Sequence, residues 1–540
     1  MPSAPSSTPG FAPSAEPPPA GLAGVARATS IIAAGNIVSR VLGLARDIAK
    51  SYFFGATGLV SAFNIAAKVP MWFYDLLAGG MVSAALVPVF STYARPEKRA
   101  ELWLIASFLL TLCVTLMTPL VLLGELFAPQ IAWLVSGGMS AETLRLTASL
   151  LRLTLPAMLF LNFAGILAGL LYSLKRFTLP AFNAAIFNLG IVAATLLFAR
   201  PFGVRAMAAG LLAGAALQVL LQLPGLRDTQ LRPVLDWRHP ALHRIARLYF
   251  PIVLGLLVDM VSRAISYRLA STTGDQSIAW MDYATTLMQF PLGLTSTAIS
   301  VAILPTLARQ AAGWSAPEDS RDFLATLAHA LRLVLVLIIP ATVGLFVLAR
   351  PVVELIFEHG DFLPADTAMT TMVLRLYLLG IIAAAIDLLL INAFYARQDA
   401  WTPAIVGLVG VFIYLAAALT PSFFRPMRLS DLIVANAIQL SVHALTMWLL
   451  LHRRVGSLRG QRLGHTTSRA VLAAAAMAVP TMAALWGVGQ INWPGQLLSE
   501  LAAVLLPGAI GAAVYLALMN AMKVPELALT AKLIRRRNPL

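Results

Sequence analysis

A single cysteine, Cys113, occurs in 540 residues, so no internal disulfide can form and no thiolate metal site can be built. Histidine is also scarce, with seven in the chain, scattered mostly through polar connections. No nucleophile stands beside a base, no glycine–lysine phosphate loop occurs and no metal pair is spaced for ligation, so the sequence offers no catalytic constellation and no enzyme is expected. Charged residues make up only 12%, against about 25% in a soluble domain. The apolar–polar alternation of barrel strands is missing as well. A basic stretch followed by a short apolar core and a cleavage site is not found at the start of the chain, so a removable signal peptide is not expected.

What the chain has is apolar length. Hydrophobic residues reach 59% and mean hydropathy is +0.81. Runs such as 333–348 and 470–488 are almost wholly apolar. Inside lipid the backbone must satisfy its own hydrogen bonds, and runs of this length do so as helices. The expected fold is therefore an all-α integral membrane protein with about 14 transmembrane helices. They are placed at 26–50, 60–93, 102–126, 143–174, 180–199, 206–223, 248–271, 278–309, 323–348, 368–395, 403–419, 432–452, 471–488 and 497–522. Residues 1–25, rich in Pro, Ser and Ala, read as a disordered tail.

A net charge of +15 would suggest nucleic acid in a soluble protein. Here the cations gather in short connections between spans, as the positive-inside bias requires, and nucleic acid is not an expected partner. Arg95, Lys98, Arg99, Lys175, Arg176, Arg453, Arg454 and 535–537 fall on the side that holds both termini, while few, such as Arg200 and Arg425, fall on the other. Both termini are expected in the cytoplasm, which requires an even number of spans.

The sequence echoes itself. Leu151-Arg152-Leu153 returns as Leu374-Arg375-Leu376, Tyr172 and Pro180 return as Tyr395 and Pro403, and Phe127-Ala128-Pro129 is partly matched by Ala349-Arg350-Pro351. Upstream, Val87-Pro88 pairs with Leu304-Pro305 and Arg46 with Arg263, at an offset of 217. These echoes predict two parallel six-helix repeats, 26–224 and 248–452, joined by a basic cytoplasmic linker at 225–247. Two C-terminal helices within 465–522 stand outside the repeat, followed by a basic cytoplasmic tail at 523–540.

Charged residues inside spans are costly and usually face a cavity or a partner. Arg40, Arg46, Lys68, Arg152, Arg263, Arg268, Arg332 and Arg375 qualify, with snorkelling toward a span end as the alternative for some. Arg40 and Arg46, with Asp47 adjacent, can line one wide cavity. Asp259 and Arg263 share a helical face, either as a self-neutralising ion pair or as cavity-facing groups. Arg40, Arg46, Arg263 and Arg268 are the expected anion-binding residues, suited to a phosphate or pyrophosphate. Asp47 and Asp259, with Pro70 and Pro291, which are expected to break the repeat-related second and eighth spans, are the expected gating elements. Asp259 and the isolated Asp387 are candidates for coupling to a monovalent cation. No other cofactor is expected.

Ser39-Arg40-Val41-Leu42-Gly43-Leu44-Ala45-Arg46-Asp47 resembles the first-helix motif of the MurJ-type (MviN family) lipid II flippases. Leu86-Val87-Pro88-Val89-Phe90, Phe394-Tyr395-Ala396-Arg397-Gln398-Asp399 and Thr402-Pro403 resemble later motifs of the same family, over about residues 27–520. The resemblance implies two six-helix lobes around a cationic cavity and alternating access. It also implies a groove along the last two helices for a polyprenyl tail. The implied substrate is lipid II, an undecaprenyl-pyrophosphate glycopeptide, carried outward across a bacterial inner membrane by a monomer surrounded by membrane lipids. The chain departs from the family at Ser61, at Tyr74 and Asp75, at Gly79-Gly80 and at Thr285-Thr286, where charged residues are common. Arg263 and Arg268 are expected to replace that charge. Two alternatives are a flippase for another polyprenyl-linked oligosaccharide and a cation-coupled multidrug antiporter.

Overall fold

The computed structural model describes residues 20–79, 82–234, 240–312, 320–458 and 460–526. Regular structure among them is entirely helical. The first half of the chain forms α1 (Ala20–Phe54), α2 (Gly58–Tyr74), α3 (Val87–Tyr93), α4 (Arg99–Leu126), α5 (Ala128–Ser136), α6 (Ala141–Thr154), α7 (Ala157–Ser173), α8 (Thr178–Ala181), α9 (Asn183–Phe202) and α10 (Arg205–Gln222). The second half forms α11 (Pro240–Ser271), α12 (Ser277–Leu292), α13 (Ala298–Ala312), α14 (Ser320–Val347), α15 (Ala349–Phe357), α16 (Pro364–Ala396), α17 (Trp401–Leu419) and α18 (Leu429–Arg454). Helices α19 (Leu463–Gly489) and α20 (Gln496–Ala521) close the fold.

Among the described residues, eleven helices are long and apolar enough to cross a membrane. The first, second and seventh expected spans are not among the eleven. They correspond to α1, to the interrupted run from α2 to α3, and to α11.

Several expected boundaries move. The second span does not break at Pro70, which lies inside α2; wide π-type turns follow it at Asp75–Gly79 and Val82–Leu86. The eighth span does the same: Pro291 lies inside the last turn of α12, and a π-type turn covers Gly293–Thr297. A proline removes one backbone donor and crowds the preceding turn, so the helix widens close by rather than stopping. Helix α11 begins at Pro240, inside the expected linker 225–247, because 241–247 holds good helix formers without Gly or Pro. The fourth span is two helices, divided at Leu155-Pro156. The short helices α5 and α15 were not expected. They stand at matching places after α4 and α14.

Packing relies on small residues, since lipid supplies no hydrophobic drive between helices. Helices α9 and α10 meet through Gly190, Gly210 and Gly214; a Cβ on Gly190 would stand 2.6 Å from the Gly214 Cα, and one on Gly214 2.6 Å from the Phe187 carbonyl oxygen. The last two helices pack on each other and on α14, where the Tyr515 hydroxyl donates to the Val336 carbonyl at 2.7 Å.

Two interior arginines are explained by helix ends. Arg152 Nε donates to the Glu125 carbonyl at the end of α4, and Arg375 Nε to the Phe346 carbonyl at the end of α14, both at 3.2 Å. A cation at a helix C-terminus satisfies orphan carbonyls and complements the dipole. Arg332 pairs with the buried Glu526 at 2.6 Å.

Candidate functional site

Elements of the two halves face each other along α1, α2, α11 and α12, and this seam is charged. On α1, Arg46 Nε lies 3.1 Å from Asp47 Oδ1, and its Nη1 donates to Asn188 of α9 at 3.1 Å. One turn further, Lys50 is almost fully buried and reaches Asp47 at 3.2 Å and Asp282 of α12 at 2.6 Å. Lys68 of α2 approaches the other oxygen of Asp282 at 3.7 Å. Thr286 donates to Asp47 at 3.2 Å, and the Lys50 ammonium stands 4.7 Å above the Tyr283 ring. The Lys50–Asp282 and Lys68–Asp282 pairs both join the two halves. Burial of that many charges is tolerated only because each ion meets another.

Arg40 lies two turns before Arg46 and points across the seam. Its guanidinium occupies the space beside Gly293, where an added Cβ would sit 2.7 Å from Nη1. No ion pair or hydrogen bond engages its side chain among the described residues. Arg263 bonds Asp259 at 2.7 Å, with both side chains about half exposed. Together with Trp72 and Asp75 they line a small cavity between α2 and α11 of about 140 Å³. The intrahelical ion pair therefore forms, and it forms on the face that meets the other half.

Arg268 departs from the expected cluster. Its guanidinium lies 5.1 Å from the Trp133 ring of α5 and close to Gly137, near the last turn of α11. It follows Arg263 by five residues, so its side chain leaves α11 in a different direction. The expected surplus of positive charge is also reduced: Arg40, Arg46, Lys50, Lys68 and Arg263 share the seam with Asp47, Asp75, Asp259 and Asp282. Lys50 and Asp282 were missed by the sequence reading. Lys50 stands at the edge of the first expected span. Asp282 carried a usable signal, an acid inside an apolar span that must find a partner.

The halves are latched at the end where α1 and α11 finish and α2 and α12 begin. The Asp361 amide donates to the Tyr52 carbonyl at 2.9 Å, the Tyr283 hydroxyl to the Gly55 carbonyl at 2.9 Å, and the Ala279 amide to Ser61 Oγ at 3.1 Å. In the α11–α12 turn, Asp275 accepts from the Ser140 amide at 2.9 Å, the Ser140 hydroxyl at 2.5 Å and the Thr143 hydroxyl at 2.7 Å. Burial opposes ionisation of Asp275, yet these bonds outweigh it and hold the carboxyl below its ordinary value.

Two further cavities belong to the second half. One, of about 700 Å³, lies among α11, α16, α17 and α18, with Asp259, Asp387 and His443 on its wall. The other, of about 540 Å³, is an almost wholly apolar groove between α14, α16, α18 and α19, lined by Leu331, Ile382, Ile386, Trp448 and Val471. No group of histidine, cysteine and carboxylate residues suited to a metal ion occurs among the described residues.

Comparison with known proteins gives a consistent answer. A family model described as lipid II flippase MurJ matches residues 50–498. A Vibrio cholerae protein named probable lipid II flippase MurJ is 30% identical, over 91% of this chain and 94% of its own length. A Burkholderia cenocepacia protein named lipid II flippase MurJ is 28% identical, over 72% of this chain and 76% of its own length. The fold matches a structure of lipid II flippase MurJ in an inward closed conformation, with TM-score 0.74, 22% identity, and coverage of 91% of this chain and 98% of that one. It also matches an inward-facing multidrug resistance MATE transporter of the MOP superfamily, with TM-score 0.63, 15% identity, and coverage of 78% and 95%.

Proposed function

The chain belongs to the lipid II flippase MurJ family, and from that premise we infer that it carries lipid II from the inner to the outer leaflet of a bacterial inner membrane, as a transporter and not an enzyme. The observation that carries this reading is the charged seam between the halves. An apolar seam would give a pyrophosphate no counter-charge. Here Arg40 is unpartnered, Lys68 is held at 3.7 Å, and Arg263 stands across from α2. Arg46 and Lys50 are more firmly engaged. They orient the wall and become available to an anion only if Asp47 and Asp282 turn away.

Alternating access follows from the latch. Contacts between the halves gather where α1 ends and α12 begins, so opening outward requires breaking the bonds to Asp282, Asp275 and the Gly55 carbonyl together. The excess of Lys and Arg on the opposite side puts both termini in the cytoplasm, with the latch on the outer side. A negative cell interior then favours outward movement of an anionic headgroup. The apolar groove beside α19 is suited to the polyprenyl tail, which stays in lipid while the headgroup crosses. The unit that does this is a monomer.

Depletion of the protein in its native cell tests the substrate. Lipid II is expected to accumulate where an externally added impermeant probe does not reach it. Continued exposure of lipid II outside, with build-up of a different lipid-linked sugar, would overturn the assignment.

A further inference from the structure

One buried titratable pair has no part in the seam. His443 Nδ1 of α18 lies 2.8 Å from Asp387 Oδ1 of α16, and the two side chains are 12% and 10% exposed. Asp387 sits nine residues before the end of α16 and His443 eleven before the end of α18, about 14 and 17 Å along their axes. Those distances place the pair near the middle of a hydrocarbon core about 30 Å thick. Both residues line the cavity of about 700 Å³, which continues past Tyr395 and Gln398 to the α16–α17 turn, on the side that carries Arg397 and Arg454.

We propose that Asp387 and His443 form a proton-binding site, and that proton entry through it is coupled to outward movement of the lipid headgroup. With a neutral imidazole the pair leaves one net negative charge at mid-membrane, a costly arrangement. One proton on the imidazole turns it into an ion pair without net charge. Histidine is the side chain that makes this change near neutral pH. Proton transfer breaks one O–H bond of hydronium in the cavity and forms one N–H bond on His443, and release reverses it, so no other reactant is needed. In the conformation described here the cavity leads toward the basic side, where a carried proton would leave.

The surroundings let the pair change charge by itself. From α11, Asp259 faces the same cavity, but Arg263 holds it at 2.7 Å. Helix α16 adds Tyr395, α18 adds the neutral Gln439, and α17 offers Gly407 and Val411. From α13, Ser300 meets the Leu388 carbonyl. On the other packed helices, Asp282 of α12 is engaged with Lys50 and Lys68, Arg332 of α14 with Glu526, and Glu354 of α15 with Arg350.

The coupling half of this inference rests on the export reading, and the proton-binding half does not, so two measurements separate them. In the first, the full chain carries ¹⁵N-histidine in a lipid nanodisc, and the His443 signal is assigned by its loss in His443→Gln. The signal is expected to report proton gain as pH is lowered, and the transition is expected to differ in Asp387→Asn. A signal that stays unchanged, or the same transition in Asp387→Asn, would overturn proton binding at this site. In the second, proteoliposomes with the membrane potential clamped at zero carry labelled lipid II under a one-unit pH difference, acid on the outer face. Export by the wild type is expected to rise several-fold with the gradient, while Asp387→Asn and His443→Gln move lipid II at one rate with and without it. A gradient response retained in both variants, or absent from an exporting wild type, ends the coupling claim. Absence of any lipid II movement removes the export reading instead, and the histidine signal then decides proton binding alone.

Discussion

Two of the places where the molecule keeps buried charge are built differently. Along the seam, Arg46, Asp47, Lys50, Asp282 and Lys68 form a continuous chain that crosses from one half to the other. Within the second half, Asp387 and His443 form an isolated pair beside open space. Ions of the chain are packed against one another, so none can lose its charge without stranding a neighbour. The chain is therefore suited to holding and releasing the halves, and the pair, as proposed above, to taking up a proton from the cavity beside it.

Removing the centre of the chain should have the largest effect. Lys50→Ala leaves Asp47 and Asp282 without their closest cation, at a cost of roughly 3–5 kcal/mol for an orphaned buried charge. Lipid II transport by the purified variant is expected to fall to background, and the exchange Lys50→Asp with Asp282→Lys to recover part of it. Full transport by Lys50→Ala would show that the seam does not hold the halves. A smaller change acts on Arg40. Gly293→Val fills the space its guanidinium occupies, so transport is expected to drop about tenfold, with thermal stability lowered by about 1–3 kcal/mol for an overpacked contact. Loss of stability without loss of transport would remove Arg40 from the binding wall.

The smallest effect is expected at the latch, from pH. The Asp275 carboxyl is held below its ordinary value, so its bonds to Ser140 and Thr143 contribute fully above the ordinary carboxylate range. They are lost as pH falls through the lowered value. Acidifying the outer face should therefore raise outward opening, read as the spacing of spin labels on α6 and α12. Asp275→Asn should show the higher opening at every pH. An equal acid response in that variant would place the sensitive group elsewhere.

Much of the fold was legible from the chain alone. Apolar runs of about twenty residues can cross lipid only as helices, and eleven of the fourteen expected spans meet that description in the structure. The other three expected spans hold α1, α2 and α11, which form the seam together with α12. The site was legible in part. Arg40, Arg46, Asp47, Asp259 and Arg263 stand on helices that meet at the seam. Arg268 reads equally well from sequence, yet it lies on Trp133 because helical rotation carries it to another face. Pro70 and Pro291 announced irregular helices, but the wide turns follow them.

By itself the sequence determined the solvent of this protein, its helical class and the family to which it belongs, because lipid burial and short motifs are local properties. Which charges neutralise one another was decided only in three dimensions. Lys50 finds Asp282 across 232 residues and His443 finds Asp387 across 56, because an ion in a low-dielectric interior takes the partner that packing brings within about 3 Å, whatever its distance along the chain.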